Sequence, residues 1–511
     1  MFRPSHPCSA LALLLLLQSA SVCIARVVTY DWEISQMQAA FDGLTTTVYS
    51  INGRPGHEAL IEATLGDRVE VRVVNALSET TCLHWHGLKQ LGTQEMDGVS
   101  GIMQTAVYRF TPDKPGSFWW HSHDSTQYAF ELCGPLVVHS PPNQLAVWER
   151  QVTAEYTLQL TDWYHALPNG VPMWDSVLIN YRGRFDCSVA SANNLTCSED
   201  QPLSRIRFEQ GKTYRLRLIN EGALAPLLFS IDGHEFSVVA VDAEPVKPSK
   251  LINSLLINVG QRYDIIVKAK KSHNPAQVLC RHAKGLPGNF WIRATSQYSR
   301  PWTGWPVDTA APDGFNQYGL AILDYDVHAR SEPTTATWDT ISILDELAFA
   351  PVVPSTLPVT PDQRVVVEFD LMQVVPNSPP LGYVSINNGN FSTLKIPDEP
   401  SLFSIANGLH TSDLLASANA FKLDYGKYIE VVLVNDMNEQ HPFHMHTRAP
   451  WVVASGQVSR DAIFANTITD YNLDGPVLRD VYTVPPCNTD ADGNCVDIGY
   501  LVLRFDTDNA G

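Results

Sequence analysis

The chain carries one ten-residue pattern three times: GDRVEVRVVN at residues 66–75, GKTYRLRLIN at 211–220 and GKYIEVVLVN at 426–435. Each copy begins with glycine and a polar residue, continues with alternating apolar and polar side chains, and ends at asparagine. An alternation with a period of two is typical of a half-buried β-strand that follows a turn. The copies start 145 and 215 residues apart, which is too far for a solenoid and indicates repeated domains.

The rest of the chain favours the same fold class. Short strand-like runs such as 134–138 and 263–267 are frequent, whereas helical periodicity of any length is hard to find. We therefore predict an all-β protein with several antiparallel Greek-key sandwiches in a row. Proline-rich stretches at 139–142, 301–312 and 350–361 mark the connections between them. The predicted division is a signal peptide at 1–25 and domains at 26–145, 146–330 and 331–511.

Composition and charge exclude several classes of protein. The 511 residues are 44% hydrophobic and 10% aromatic, which rules out a disordered chain. There are 35 Lys and Arg residues against 54 Asp and Glu residues, a net charge of −19. Nucleic acid and anionic membranes need a basic surface, so neither is expected as the main partner.

The first 25 residues have the features of a secretory signal peptide. Arg3 precedes a short apolar core at 10–17, and Ala25 ends a stretch of small residues suited to cleavage. This core is too short to span a bilayer, and no later stretch approaches about 18 apolar residues. We expect a secreted or cell-wall protein without a membrane span. Glycosylation sequons at Asn194 and Asn390 agree with a secretory route.

The cysteine count is odd once the signal peptide is removed. An odd number in an oxidising compartment implies a free thiol, an intermolecular bridge or a partner missing from the chain. Two pairs are near enough in sequence to close short loops, Cys187 with Cys197 and Cys487 with Cys495. The remaining three cysteines are Cys82, Cys133 and Cys280.

Seven of the 16 histidines fall in three short clusters: HWH at 84–86, HSH at 121–123 and HPFHMH at 441–446. Residues two apart in a strand point to the same face, so each His-x-His presents two imidazoles to a shared metal centre. His441 precedes His444 by three positions and faces the other way, so the third cluster can serve two separate sites. A set of ordinary buried or surface histidines is the alternative, but three clusters in one β-protein favour Cu, Zn, Fe or Ni.

Other common motifs are missing from the sequence. It contains no His-Glu-x-x-His and no Cys-x-x-Cys, which removes the commonest zinc-protease and zinc-ribbon interpretations. It also lacks a Gly-x-Gly-x-x-Gly after a strand and a Gly-x-Ser-x-Gly elbow, so a nucleotide cofactor and that type of serine hydrolase are not expected.

Several segments together resemble the multicopper oxidases, in particular the fungal laccase type. The first is HWHG at 84–87 with MDG at 96–98, and the second is WWHSH at 119–123 with QY at 127–128 and GP at 134–135. The third is HPFHMH at 441–446, while TDWYH at 161–165 and DSVLIN at 175–180 are similar to the second domain of that family. The resemblance implies three consecutive cupredoxin-like sandwiches with type 1, type 2 and binuclear type 3 copper. It also implies one-electron oxidation of a small molecule coupled to reduction of O2 to water.

The same resemblance assigns a role to each histidine. His84 and His444 would be type 2 ligands, and His441 a type 1 ligand. The type 3 pair would be bound by His86, His121, His123 and His446.

Two aspartates also match functional positions of the family. Asp97 would lie near the cluster, where a carboxylate orients ligands and moves protons. Asp175 would lie in the substrate pocket and accept a phenol proton or help bind Fe(II). For both residues a plain turn or loop aspartate is the alternative.

One expected segment does not occur before Gly511. Members of the family carry a fourth segment, His-Cys-His followed by a further histidine, which holds the type 1 cysteine and three more histidines. We therefore expect an incomplete third domain and no activity for the chain as given, with the type 1 and type 3 sites short of ligands.

Three functions stay open at this stage. The first is a secreted laccase-like oxidase of phenols or pigment precursors, and the second is a ferroxidase in iron uptake. Asp175 suits either substrate, so the sequence does not separate them. The third is a non-catalytic copper-binding or cell-wall protein.

Overall fold

The structure is a computed structural model that describes residues 26–99, 101, 103–166, 174–192, 195–271, 288–296, 314–325, 331–369, 401–409 and 421–507. The predicted signal peptide, Asn194, Asn390, Cys280 and the proline-rich stretch 301–312 lie outside these residues.

The first structural unit consists of nine strands in two sheets. They are β1 (Val27–Ala39), β2 (Thr46–Ile51), β3 (Arg54–Pro55), β4 (Ile61–Thr64), β5 (Arg68–Asn75), β6 (Leu83–His86), β7 (Thr105–Phe110), β8 (Gly116–Ser122) and β9 (Cys133–His139). One sheet has the order β3-β2-β1-β5-β7 and the other has the order β4-β9-β8-β6. Their inner faces share one apolar core that includes Trp32, Trp85 and Trp120.

The second unit has eleven described strands, again in two sheets. They are β10 (Ala154–Trp163), β11 (Ser176–Ile179), β12 (Ser204–Arg207), β13 (Thr213–Asn220), β14 (Leu227–Ile231), β15 (Phe236–Val241), β16 (Glu244–Pro245), β17 (Ser254–Ile257), β18 (Arg262–Lys268), β19 (Asn289–Ser296) and β20 (Tyr318–Asp324). The sheet orders are β11-β10-β13-β18-β15-β16 and β12-β20-β19-β14-β17.

The third unit has eight described strands. They are β21 (Gln363–Phe369), β22 (Tyr428–Asn435), β23 (His441–His444), β24 (Trp451–Val458), β25 (Val477–Leu478), β26 (Val481–Val484), β27 (Asn488–Thr489) and β28 (Cys495–Asp506). The main sheet has the order β21-β22-β28-β24-β25 with β27 paired to β28, and β23 pairs with β26.

Helices are few and short in the described part of the chain. They are α1 (Cys187–Ala192), α2 (Ser401–Ala406), α3 (Arg460–Phe464) and 3-10 turns at Gly56–Glu58, Gln94–Met96, Gln127–Phe130 and Glu149–Gln151. Within the described ranges no helix has the length and apolar character needed to cross a membrane.

The three sequence copies form the same strand in each unit, as predicted. They become β5, β13 and β22, which lie parallel to β1, β10 and β21. On the other side they pair antiparallel with β7, β18 and β28. The prediction of an all-β chain with consecutive, repeated β units is confirmed.

The asparagine that ends each copy has a structural reason. Asn75, Asn220 and Asn435 each accept, through Oδ1, a hydrogen bond from the backbone N–H two residues later, at 3.0, 3.0 and 3.1 Å. Each Nδ2 also donates to a backbone carbonyl four or five residues later. Asparagine therefore ends the strand with the same turn in all three units.

Apolar contacts join the units to one another. Val48 and Trp119 of the first unit pack with Trp163 and Tyr181 of the second. The core of the second unit continues into the third through residues such as Leu501. No described sheet contains strands of two units, and the exact boundaries at 145 and 330 stay predictions.

Both predicted local disulfides are present, Cys187–Cys197 and Cys487–Cys495. Cys82 and Cys133 are buried thiols. Because Cys280 lies outside the described residues, the odd cysteine predicted from the count stays untested.

Two valines of β28 provide a matched test of the third core. Val502 is fully buried, whereas Val496 is 56% exposed on the same strand. We expect Val502→Ala to lower the free energy of unfolding by about 2 kcal/mol, because it removes two buried methyl groups and leaves a cavity. Val496→Ala should cost less than about 0.5 kcal/mol in the same urea titration. Equal losses for the two variants would contradict the described packing of β28.

Candidate metal centre

Strand pairing in the first unit brings two histidine clusters together. β6 and β8 are antiparallel neighbours, and His84 lies opposite His121. In the same register Trp85 lies opposite Trp120, and both indoles point into the core. Because side chains alternate along a strand, the histidines face away from that core. His123 follows directly after β8.

The third cluster approaches from the third unit. The His444 ring stacks on His86 with 3.6 Å between centroids, and the His446 ring stacks on His84 at 3.8 Å. Six of the seven predicted histidines therefore meet at the boundary between the first and third units. We call them the six-histidine cluster: His84, His86, His121, His123, His444 and His446.

The hydrogen bonds of His84 and His444 define their tautomers. His84 Nδ1–H donates to Asp97 Oδ1 at 2.7 Å, and His444 Nδ1–H donates to the Asp480 carbonyl at 2.9 Å. Since both partners only accept, each Nδ1 must carry the proton, and each Nε2 keeps its lone pair. The two Nε2 atoms face each other 3.1 Å apart. Two converging lone pairs suit a metal ion between them.

Burial keeps five of the six imidazoles of the cluster neutral. It lowers the pKa of His121 to about 3, of His123 to about 4 and of His444 to about 3. It also holds the pKa values of His84 and His86 well below the usual range, and neighbouring histidines add to the effect. Neutral imidazole is the form that binds metals, so these five rings are ready to act as ligands at neutral pH.

Asp97 lies beside the cluster, as the resemblance implies. Besides its contact with His84, its Oδ2 lies 3.4 Å from His446 Nδ1. Burial alone would raise its pKa, but the two histidines outweigh burial and lower the pKa below the usual range. A charged carboxylate thus fixes one histidine from the first unit and contacts one from the third.

His441 lies apart from the six-histidine cluster. Its ring meets the edge of Phe369, with 5.7 Å between centroids. Its buried Nε2 has no hydrogen-bond partner, and burial lowers the pKa of this histidine to about 4. An unpartnered neutral nitrogen on the opposite side of β23 fits a ligand of a second metal site.

Asp175 is not brought to these histidines by any described contact. It precedes β11, and its Oδ2 accepts the backbone N–H of His165 at 2.8 Å. The imidazole Nε2 of His165 lies 2.7 Å from Asp42 Oδ2. Burial raises the pKa of Asp175, although its hydrogen bond from His165 opposes this.

The sequence did not reveal Asp480 or Arg262, which also reach the cluster. Asp480 Oδ1 lies 3.5 Å from His86 Nε2, and Arg262 binds the same carboxylate. Neither residue belongs to a motif, so no sequence signal could have found them. A cavity of about 550 Å³ adjoins the cluster and is lined by all three units, the second through Ala223 and Asn258 among others.

The donor set defines a class of site. Closely packed imidazoles with two adjacent carboxylates, Asp97 and Asp480, suit copper and other imidazole-binding transition metals. The fold and this site together define a protein of three repeated β units with a candidate transition-metal centre at the boundary between the first and third.

Family models described as multicopper oxidase match residues 33–143, 154–326 and 386–511. Laccase-5 of Trametes villosa is 32% identical, over 94% of this chain and 85% of that protein. The crystal structure of the laccase from Botrytis aclada has a TM-score of 0.76 and 26% identity, over 95% of this chain and 84% of the other. The chain belongs to the multicopper oxidase family, and it is a copper-dependent oxidoreductase of the laccase type.

A more distant structure shares the fold alone. Fet3p, described as a multicopper oxidase that functions in iron import, has a TM-score of 0.74 at 22% identity, over 94% of this chain and 86% of the other.

Gly87, directly after the first histidine cluster, provides a test of the packing around the site. Its φ is +93°, and a Cβ there would lie 2.4 Å from Arg262 Nη2 and 2.9 Å from Asp480 Oδ2. Gly92 has a φ of +73° with nothing within 4 Å of its Cβ position. We expect Gly92→Ala to cost about 1 kcal/mol of stability for the backbone strain alone.

Gly87→Ala should cost about 2 kcal/mol more than Gly92→Ala, because the buried ion pair must also move. Thermal and urea unfolding of the two variants measure the difference. Equal destabilisation would show that Gly87 does not pack against this pair.

Proposed function

We propose that this protein is a secreted laccase that oxidises phenols, including pigment precursors, by one electron each and reduces O2 to water. In balance, four phenols and one O2 give four phenoxyl radicals and two waters. The observation that carries the proposal is the convergence of His84 Nε2 and His444 Nε2 from two units, 3.1 Å apart and both with free lone pairs.

The ligand roles are those that the resemblance to the multicopper oxidases implies. His84 and His444 would hold the type 2 copper, with His441 as a type 1 ligand. His86, His121, His123 and His446 would hold the type 3 pair. When bound, copper supplies the single-electron redox chemistry that links the organic substrate to O2.

Asp97 is proposed to handle protons at the cluster. Its Oδ1 accepts the Nδ1–H of His84 and so directs Nε2 of that ring towards His444. Its Oδ2 faces His446 Nδ1 at 3.4 Å. A carboxylate that stays ionised in a buried site is suited to holding ligands and relaying protons to reduced oxygen.

Asp175 is proposed as the proton acceptor for a phenol. A phenol loses its proton readily once an electron has left, so a nearby carboxylate lowers the barrier of the first step. The side chain of Asp175 is 27% exposed, and the backbone N–H of His165 holds one of its oxygens. A small molecule can therefore reach the exposed part of this side chain.

The substrate class is tested by oxygen uptake with the protein purified from its natural source. We expect phenol-dependent O2 consumption that exceeds consumption with Fe(II) at equal concentration. Turnover of Fe(II) without turnover of phenols would instead favour the ferroxidase. If the copper-loaded protein oxidises neither substrate, the oxidase proposal is wrong and a non-catalytic copper protein is favoured.

The same assay addresses the remaining predictions from the sequence. Residues 26–511 expressed on their own are expected to show neither O2 uptake nor an intense thiolate-to-copper absorption band, because none of their cysteines is flanked by histidines. Secretion is tested by N-terminal sequencing of the extracellular protein, which should begin at Arg26. A protein retained in the cell with residues 1–25 intact would contradict it.

The role of Asp175 predicts a substrate-dependent pH profile. Since burial raises the pKa of Asp175, kcat/KM for a phenol should fall as the pH drops through that raised pKa and the carboxylate gains a proton. Asp175→Asn should lower phenol turnover on the order of 100-fold and remove this acid limb. Ferrocyanide, which has no proton to lose, should be oxidised at the wild-type rate.

Asp200→Asn is the matched control, because Asp200 is an exposed carboxylate of the same unit. It should leave both activities unchanged. A wild-type acid limb in the Asp175→Asn variant would assign proton acceptance to another group.

A further inference from the structure

An arginine of the second unit reaches the six-histidine cluster, although that unit supplies none of its histidines. Arg262 begins β18 and is fully buried. Its Nη1 and Nη2 donate to Asp480 Oδ1 and Oδ2 of the third unit at 2.5 and 2.6 Å. Its Nε donates to the Ser117 carbonyl of the first unit at 3.2 Å. One guanidinium therefore joins all three units.

Asp480 contacts both histidines of one stacked pair. Its backbone carbonyl accepts the Nδ1–H of His444, and its Oδ1 lies 3.5 Å from His86 Nε2 and 3.7 Å from His444 Nδ1. Asp480 directly precedes β26, the strand that pairs with the histidine-bearing β23. The position of Asp480 therefore affects one ring from the first unit and one from the third.

Stability alone does not explain the Arg262–Asp480 pair. Removing two charges from water is costly, and apolar side chains of similar volume often stabilise a protein as well as a buried ion pair does. What an apolar pair cannot supply is a fixed direction, because a guanidinium that binds both carboxylate oxygens determines the plane and position of that carboxylate.

A neighbouring ion pair adjoins the first, because the backbone N–H of Arg262 donates to Asp242 Oδ1 at 2.9 Å, but it makes no described contact with the histidines. Arg479 Nε donates to Asp242 Oδ2 at 2.9 Å, and both side chains are completely buried between the second and third units. Within the described part of the chain, neither Arg479 nor Asp242 contacts a histidine of the cluster. This second pair is therefore a control for the structural contribution of the first.

We propose that the Arg262–Asp480 pair positions His86 and His444 for metal binding, so that the second unit sets the geometry of a copper site held by the other two. The proposal rests on the ligand roles assigned above to these histidines. By fixing residue 480, Arg262 holds the carbonyl that orients the Nδ1–H of His444, which directs Nε2 of that ring towards His84. Arg262 and Asp480 are positioning residues that act through the histidines.

The test compares Arg262→Met with Arg479→Met in the full chain, with Cu(II) alone as the probe. Copper affinity is measured by competition with a chelator, and the geometry of bound Cu(II) by electron paramagnetic resonance. We expect Arg262→Met to weaken Cu(II) binding by about 10- to 100-fold, as is usual when a residue that orients a ligand is lost. The electron paramagnetic resonance spectrum of the bound Cu(II) should change as well.

Arg479→Met should destabilise the fold to a similar degree but leave copper affinity and the resonance spectrum as in the wild type. Arg262→Lys retains the charge without the two-pronged contact and should lie between the wild type and Arg262→Met. If Arg262→Met does not fold, Asp480→Asn, which keeps the size of the side chain, replaces it in the same comparison.

Equal copper affinities and spectra for the Arg262 and Arg479 variants would overturn the positioning role. A wild-type chain that binds no Cu(II) through His84 and His444 would instead overturn the proposed ligand roles. The two failures are therefore distinguishable.

Discussion

The contact between His84 Nε2 and His444 Nε2 is the constraint on which the rest of the structure depends. These residues are 360 positions apart in the chain, yet their lone pairs converge at 3.1 Å. A hydrogen bond from Nδ1–H orients each ring: His84 donates to the Asp97 carboxylate, and His444 donates to the Asp480 carbonyl. A metal site shared by two units can form only if the relative position of those units is fixed. The second unit contributes to fixing it. The fold is thus an arrangement of three repeated sandwiches around one shared boundary.

Apolar and ionic contacts between the units have different roles. The packing of Trp119 against Trp163 and Tyr181 removes large aromatic surfaces from water and supplies favourable free energy. The buried arginines Arg262 and Arg479 add little net stability, because desolvation offsets their attraction to the partner carboxylates. Loss of a single partner would still cost about 3–5 kcal/mol, since a charge would remain buried alone. Such ion pairs therefore fix the relative orientation of the side chains and units that they join.

What the sequence could predict was local. Alternation and a terminal asparagine define β5, β13 and β22 without reference to the rest of the chain, and the two-residue spacing of His84 and His86 determines their common face. The disulfide Cys187–Cys197 joins two cysteines ten positions apart and was predictable for the same reason. Asp480 was not predictable, because its contact with Arg262 spans 218 residues and depends on how two finished units pack. The substrate-pocket role of Asp175 stays a prediction, since its described hydrogen bond is with the backbone of His165.

The central claim is that one copper ion is held jointly by the first and third units. Electron paramagnetic resonance of the protein with one equivalent of Cu(II), in the wild type, His84→Ala and His444→Ala, tests it most directly. The account predicts that both variants lose the same copper signal, because each removes one of two converging lone pairs. Loss of different signals, or an unchanged signal in either variant, would contradict a shared site at this boundary.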